Sequence, residues 1–316
     1  MNVDAFSDVL RLINAQSVVS GGLRAGGDWA VRFPPPDHVK FFIAARGMCW
    51  LSVDGDEPIR FSEGETLLLT ASRGFSLASD PALPTLDATA LYGDDGNLIP
   101  NLGTGETFFL LGGHVRLDSA GGELLIDGLP PVIHVRGEST KADAIQWLVS
   151  QLVEEHCENR PGSHFAVTQF AQLIFLNILR AYLASVAAIT SGRLRATSDP
   201  RIGPAIRLMH ANPGRAWHLK ELAKACAMSR TVFASYFKTV AGVAPLTYLT
   251  QWRMQLAERA LRESNASLSE VSDMLGYSSE SAFSVAFKRV MGKSPKRYRS
   301  AMRSPLVTDL IPPEVQ

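Results

Sequence analysis

A segment near the C-terminus of this 316-residue chain is written twice, fifty positions apart. Phe233-x-x-x-Phe237 followed by Gly242-x-x-Pro245-x-x-Tyr248 recurs as Phe283-x-x-x-Phe287 followed by Gly292-x-x-Pro295-x-x-Tyr298. A short apolar segment precedes each copy, Leu219-x-Glu221-Leu222 in one and Leu268-x-Glu270-Val271 in the other. Two copies cannot bury the core of a solenoid, which needs at least three repeats. The repeat therefore predicts two small helical units side by side, each presenting one helix, an arrangement suited to two nearby stretches of DNA groove.

In the first unit, Leu219, Leu222, Ala223 and Cys226 fall on one helical face. Ala227-Met228-Ser229 makes a tight turn, and Ser229 is placed to cap the next helix. That helix buries Phe233, Phe237 and Val240 and turns Arg230, Thr231, Ala234, Ser235 and Lys238 outward. The second unit repeats the pattern with Leu268, Val271 and Leu275, the turn Gly276-Tyr277-Ser278-Ser279, and the stripe Phe283, Phe287 and Val290. Glu280, Ser281, Ser284, Val285 and Lys288 face outward, and the turn is one residue longer than in the first copy.

This is the outline of a helix-turn-helix, whose second helix enters the major groove. The competing reading is a pair of helical hairpins that packs on another protein. Residues 245–263 read as a connecting helix with Pro245 at its first position, about 27 Å long at the standard rise. With side-chain reach, that length can place two reading helices about one DNA turn, roughly 34 Å, apart.

The net charge of zero hides an asymmetry. Residues 201–303 hold 17 basic and 6 acidic side chains, a net of +11, whereas residues 1–200 hold 14 and 23, a net of −9. A basic module fused to an acidic one suggests a polyanion-binding half. Lys238, Arg253, Lys288, Arg289, Lys293, Lys296, Arg297 and Arg299 stand where phosphate contacts are expected. Such contacts bring affinity and salt dependence rather than base choice.

The first half has a different period. Short apolar runs at 40–44, 48–53 and 66–70 are separated by the turn signals Arg46-Gly47, Asp54-Gly55-Asp56 and Glu63-Gly64, which predicts a β-sandwich or barrel over residues 18–135. Residues 5–15 lead in as a short amphipathic helix. After Gly137 the pattern turns helical, with Ser139 as an N-cap, Arg160-Pro161-Gly162-Ser163 as a break, and a second, strongly apolar helix. That helix is long enough to cross a bilayer, but Gln169, Gln172, Asn177 and Arg180 favour a buried or dimer-packing role and no membrane partner. The polar stretch at 191–200 reads as an interdomain linker, and the Pro-rich residues 304–316 as a loose tail.

Cys49, Cys157 and Cys226 are too few and too scattered for a disulfide framework or a zinc site. Free thiols fit a reducing cytoplasm. The N-terminus shows no signal-peptide pattern.

Residues 202–299 resemble the DNA-binding domain of AraC/XylS-type bacterial transcription regulators. The likeness rests on 219–229 (LKELAKACAMS), 276–288 (GYSSESAFSVAFK) and 292–299 (GKSPKRYR). It implies base-reading roles for Arg230, Thr231, Ala234 and Ser235, and for Glu280, Ser281, Ser284 and Val285. Relatives often carry Arg where this chain has Val285, and Ala234 and Ser235 are short. Bidentate base readout is therefore scarce, and thymine-methyl contacts, hydroxyls and DNA shape carry more of the discrimination.

The N-terminal half resembles the cupin-type sensor domain of one group of these regulators, through 46–55 (RGMCWLSVDG), 61–69 (FSEGETLLL) and 129–135 (LPPVIHV). The expected fold is α+β in two domains. Residues 1–137 form a cupin-like effector domain, 138–190 a helical dimerisation segment, 191–200 a linker and 201–303 an all-α DNA-binding domain. Its helix-turn-helix units lie at about 219–240 and 268–291. The implied partners are double-stranded promoter DNA, RNA polymerase, a small-molecule effector and a second copy of the chain.

Cupins also include metal-dependent enzymes, which offer a His-x-His pair, a Glu and a later His to one metal. Here His38-Val39-Lys40 stands where a pair is expected, and His114 and His134 are isolated. A metal site needs clustered ligands. The sequence assembles none, so neither a metal, a cofactor nor a catalytic residue is expected. Phe42, Trp50 and His114 are candidates for an effector pocket in the barrel mouth. The alternative is an N-terminal half that only dimerises.

Overall fold

The computed structural model describes residues 4–92, 98–117, 122, 129–136, 142–158, 160–185 and 191–303. Ser139 and the tail at 304–316 lie outside the described residues. The chain divides into two compact units. One spans the strands and the two helices that follow them, and the other holds the helices from residue 191 onward together with the first thirteen residues.

In the β-rich unit, β1 (Gln16–Gly26), β3 (Val39–Arg46), β6 (Thr66–Leu69), β9 (Asn101–Gly103), β10 (Phe108–Arg116) and β11 (Val132–Val135) form one sheet in the order β11-β6-β3-β10-β1-β9. A second sheet is ordered β5-β4-β7-β2-β8, from β2 (Ala30–Phe33), β4 (Met48–Val53), β5 (Ile59–Ser62), β7 (Phe75–Ala78) and β8 (Leu86–Asp87). Leu23, Phe42, Leu67 and Leu110 from the first sheet pack with Val31, Leu51, Phe61 and Leu77 from the second in one core, so the sheets face each other as a sandwich.

Alternation selects the inner face. Along β4, Cys49, Leu51 and Val53 are buried while Met48, Trp50 and Ser52 are not. The β3–β4 connection turns at Gly47 with φ 73°, where a Cβ would lie 2.2 Å from the Thr107 carbonyl oxygen, so no other residue fits.

Two helices complete this unit, α2 (Ala142–Glu158) and α3 (Ser163–Ser185). α3 is long and apolar enough to cross a membrane, yet it lies against β1 and buries Val167, Ala171, Ile174, Phe175, Ile178, Leu179 and Tyr182. Its Gln172 amide bridges strand backbone, donating to the Ala15 carbonyl at 2.8 Å and accepting from Ser17 N–H at 3.0 Å.

The helical unit contains α1 (Ala5–Leu12), α4 (Arg193–Ser198), α5 (Gly203–Ala211), α6 (Leu219–Ala225), α7 (Arg230–Ala241), α8 (Pro245–Glu263), α9 (Leu268–Met274), α10 (Glu280–Met291) and α11 (Pro295–Arg303). Two expectations need correction here. The stretch at 191–200 carries a helix with Arg193, Leu194 and Ala196 buried, rather than an irregular linker. The Arg193 guanidinium donates to the side-chain oxygens of Gln255 and Gln251 and lies 5.1 Å from the Tyr248 ring centroid. These contacts, made with α8, order a segment whose own sequence shows no helical period. The second correction concerns α1, which belongs to the helical unit rather than to the first domain. Ala5 joins the core of Ile202, Ile206, Phe233 and Phe237, and Asp8 stands 3.4 Å from His210 Nδ1.

Candidate nucleic-acid interface

Each reading helix is built by the same local devices. Glu221 accepts from the His218 backbone N–H at 2.9 Å and Glu270 from that of Ser267 at 2.6 Å, which starts α6 and α9. Those backbone bonds hold both carboxyls below the ordinary glutamate range. Ser229 and Ser279 cap α7 and α10 by accepting from Val232 N–H at 3.3 Å and Ala282 N–H at 3.1 Å. Gly242 and Gly292 end these helices in the left-handed conformation, φ 77° and 73°. Pro245 and Pro295 open the next helices. The repeated glycine, proline and serine are thus a stop, a start and a cap.

The repeated aromatic residues form the wedge behind each reading helix. Phe237 meets Tyr248 edge-on at 5.6 Å, and Phe287 meets Tyr298 edge-on at the same distance. Phe233, Phe237, Phe283 and Phe287 are all fully buried. Each tyrosine hydroxyl ends on a buried partner, His210 Nε2 at 2.9 Å for Tyr248 and Glu258 Oε1 at 2.7 Å for Tyr298. His210 also stacks on Trp252 at 3.7 Å, and burial, helped by nearby Arg193, pushes its pKa down to about 3.

With the Phe stripe turned inward, the N-terminal halves of α7 and α10 face outward. Arg230, Thr231 and Ser235 are exposed and Ala234 is half-buried; Glu280, Ser281 and Val285 are exposed and Ser284 is half-buried. Val285 is 67% exposed, unusual for a large apolar side chain and available for a methyl contact. None of the eight side chains forms a hydrogen bond or ion pair among the described residues. Val232, exposed beside Thr231, is an addition that the sequence pattern did not single out.

The expected phosphate-contacting residues divide. Lys238, Lys288, Arg289, Lys293, Lys296 and Arg297 are exposed. Arg253 is engaged elsewhere: its Nε donates to the Pro213 carbonyl at 2.6 Å and a terminal nitrogen to that of Arg215 at 2.9 Å. Arg299 donates to the Ala266 carbonyl at 2.5 Å, with its Nε buried. Both guanidiniums are thus engaged with loop carbonyls, that of Arg215 also accepting from the Trp217 backbone N–H at 2.9 Å, and so they help to hold the scaffold.

In the sandwich, the three effector-pocket candidates separate. Phe42 lines a half-open pocket of the sandwich. Trp50 does not, because the alternation of β4 puts it on the face opposite Cys49 and Leu51. His114 lies across the β3–β10 pairing from Lys40 and is outside the cavity lining. The lining residues Phe33, Lys40, Phe75, Tyr92, Gly112 and Gly113 were not anticipated. Their one sequence signal is the glycine pair in the middle of a strand pattern. His134 is paired with Glu65 at 3.0 Å, and among the described residues no three His, Cys, Asp or Glu side chains are grouped to hold a metal ion.

A sandwich followed by a capped pair of helix-turn-helix units defines a regulator architecture, and comparison with known proteins agrees. The cupin family model matches residues 4–184 and a helix-turn-helix domain model matches residues 222–301. An AraC-like transcription regulator from Streptomyces lividans is 40% identical over 94% of this chain and 98% of its own length. The transcriptional regulator AlkR of Acinetobacter baylyi is 27% identical over 94% of this chain and 99% of its own. Among solved structures, the DNA-binding domain of AdpA in complex with a target DNA is 30% identical, covering 33% of this chain and 95% of that one, with a TM-score of 0.32. The chain belongs to the AraC-like transcription regulators, with an N-terminal cupin domain and a C-terminal DNA-binding domain.

Proposed function

We propose that this regulator reads two successive major grooves of promoter DNA as one asymmetric reader. Arg230, Thr231, Ala234 and Ser235 meet bases in one groove, and Glu280, Ser281, Ser284 and Val285 in the next. The observation that carries the reading is the pair of capped helices, α7 and α10, whose unpartnered faces point away from matched Phe–Tyr wedges. The connecting α8 has 19 residues, about 28 Å at 1.5 Å per residue, close to the roughly 34 Å of a DNA turn once side chains are added. The exposed lysines and arginines supply phosphate contacts and, with them, salt dependence.

In this reading the protein works in the cytoplasm, acts with RNA polymerase and dimerises through α2 and α3. Trp147 and Phe165, on those two helices, are 59% and 72% exposed, which favours a covered apolar face. The cavity inside the sandwich favours a small-molecule sensor over a domain that only dimerises. His38 lies beside His114 and His134 beside Glu65, and the lack of a third metal ligand at either pair among the described residues favours a sensor over a metal enzyme.

A gel-shift salt series on the region upstream of the protein's own gene tests the DNA reading, and affinity no higher than for random duplex overturns it. Within that assay, Lys296→Ala weakens binding to all sequences alike, whereas Thr231→Ala changes the preferred site. Equal effects of the two variants across a randomised library refute the division into phosphate and base contacts.

A further inference from the structure

The sandwich leaves a half-open cavity of about 230 Å³. Its walls are aromatic. Phe33 stacks flat on Phe75 with centroids 4.8 Å apart, Phe42 tilts against Phe75 at 5.4 Å, and Tyr92 stands 6.3 Å from Phe33. The Tyr92 hydroxyl is already committed, donating to the Gly22 carbonyl at 2.7 Å.

The space exists because side chains are missing where the strands pair. Gly112 faces Phe42 on one side and Gly21 on the other. A Cβ on Gly112 would come to 3.4 Å from the Phe42 ring, so larger side chains there would occupy the cavity. Three strands that could close the core with aliphatic residues instead leave room beside three phenyl rings.

One charged residue lines this space. Lys40 precedes Phe42 by two residues on β3, so both side chains share a face, and both line the cavity. Among the described residues the Lys40 ammonium has no hydrogen bond or ion pair. Burial lowers its pKa, and only Asp37 works against that shift. Other cations and bases crowd the same edge. His114 is the cross-strand partner of Lys40, its ring lies 5.6 Å from that of His38, and its Nε2 accepts from Arg116 Nε at 3.2 Å. Burial and then Lys40, Arg116 and His38 push the His114 pKa down, so a proton on His114 is disfavoured beside these cations. A half-buried ammonium with no directly bonded anion among the described residues, only the more distant Asp37, is costly, and a bound carboxylate reduces the cost.

We propose that this cavity binds a small anion with a flat apolar body, an aromatic carboxylate of one or two fused rings, with the ring among Phe33, Phe42 and Phe75 and the carboxylate on Lys40. The proposal rests on the sensor reading above and specifies its ligand class. The ligand must be small, because sites for drug-sized molecules usually run from about 300 Å³ upward.

The test is calorimetric titration of the full chain with 2-naphthoate, its amide 2-naphthamide, and the cation 2-naphthylmethylammonium. The carboxylate should bind at least about tenfold more tightly than the amide, and the cation more weakly still. In Lys40→Met, which keeps the apolar stem, the carboxylate-to-amide ratio should fall to about one. In Gly112→Val all three ligands should be excluded, with circular dichroism confirming an unchanged strand content. Equal binding of amide and carboxylate to the wild type, an unchanged ratio in Lys40→Met, or no binding of any of the three overturns the proposal. A parallel gel shift with and without 2-naphthoate separates the two claims. Binding that leaves DNA affinity unchanged sinks the sensor reading but not the ligand class. Failure to bind, with DNA recognition intact, sinks the ligand class but not the regulator.

Discussion

Beyond the glycine that ends its reading helix, the first helix-turn-helix unit continues with Val243, Leu246 and Thr247; at the same places the second has Lys293, Lys296 and Arg297. Thr239 stands where the second unit has Arg289, and only Lys238 is matched by another cation, Lys288. The scaffolds nevertheless coincide, with the same caps, the same edge-on Phe–Tyr contact and the same buried stripe. In the proposed reading the two copies of one fold divide the work. The second unit, with more exposed cations, supplies most of the phosphate contacts, and the first more of the sequence choice, through Arg230 and Thr231 at the head of its helix.

A second difference lies in the turns. The left-handed position is Ala227 in the first unit, φ 54°, and Gly276 in the second, φ 74°. A Cβ on Gly276 would fall 1.8 Å from the Gly214 carbonyl oxygen, in the loop between α5 and α6. Arg253 holds that same loop by its carbonyls and lies 5.7 Å from the ring centroid of Tyr277, the next residue of the second turn. The second turn is thus pressed against the loop that leads into the first unit. The two reading helices share one clamped framework rather than a loose tether.

The largest expected effect tests that clamp. Gly276→Ala combines a backbone clash with left-handed strain and should cost about 3 kcal/mol or more, lowering the melting temperature by over about 10 °C. Ala227→Gly, the matching change in the first unit, should leave the melting temperature level or slightly higher. Similar losses from both would show that the two turns are not differently constrained.

Next in size is the charge difference. Changing Lys293, Lys296 and Arg297 together to Ala should reduce the slope of log affinity against log salt by about 3. Changing Val243, Leu246 and Thr247 to Ala should leave that slope where it was. A salt titration in which both triple variants match the wild type would break the proposed division of labour.

The smallest effect separates the buried partners of the two tyrosines. His210 has its pKa lowered by burial, from an ordinary value near 6.5 to about 3. The unfolded chain takes up the proton more readily, so stability is fully present above about pH 6.5 and is lost as pH falls toward 3. At pH 5.5 the loss should be about 1 kcal/mol. His210→Gln should flatten that part of the pH–stability curve, and a curve of unchanged shape would remove His210 as its source.

Much of the helical unit was legible from the chain because its signals are local. Caps, proline starts and i, i+4 stripes act within a few residues of themselves, so Ser229, Pro245 and the Phe pairs announced their roles. The exposed face of each reading helix followed from the buried one. The sandwich was legible more coarsely, through turn glycines and strand alternation. The cavity was not, since it depends on which residues three strands bring opposite one another.

The sequence by itself determined the two-part organisation, the pair of reading helices and their unlike outer faces, because each depends on interactions between near neighbours. Only the tertiary structure decided the fate of individual side chains. Arg253 bonds the Pro213 carbonyl forty residues away and Arg299 the Ala266 carbonyl thirty-three away, scaffold partners that no local pattern reveals. Arg193 reaches a partner sixty-two residues on and draws an irregular-looking linker into a helix. Trp50 and Lys40 changed places as pocket candidates for the same reason. Which face of a strand looks inward is set by its pairing with distant strands.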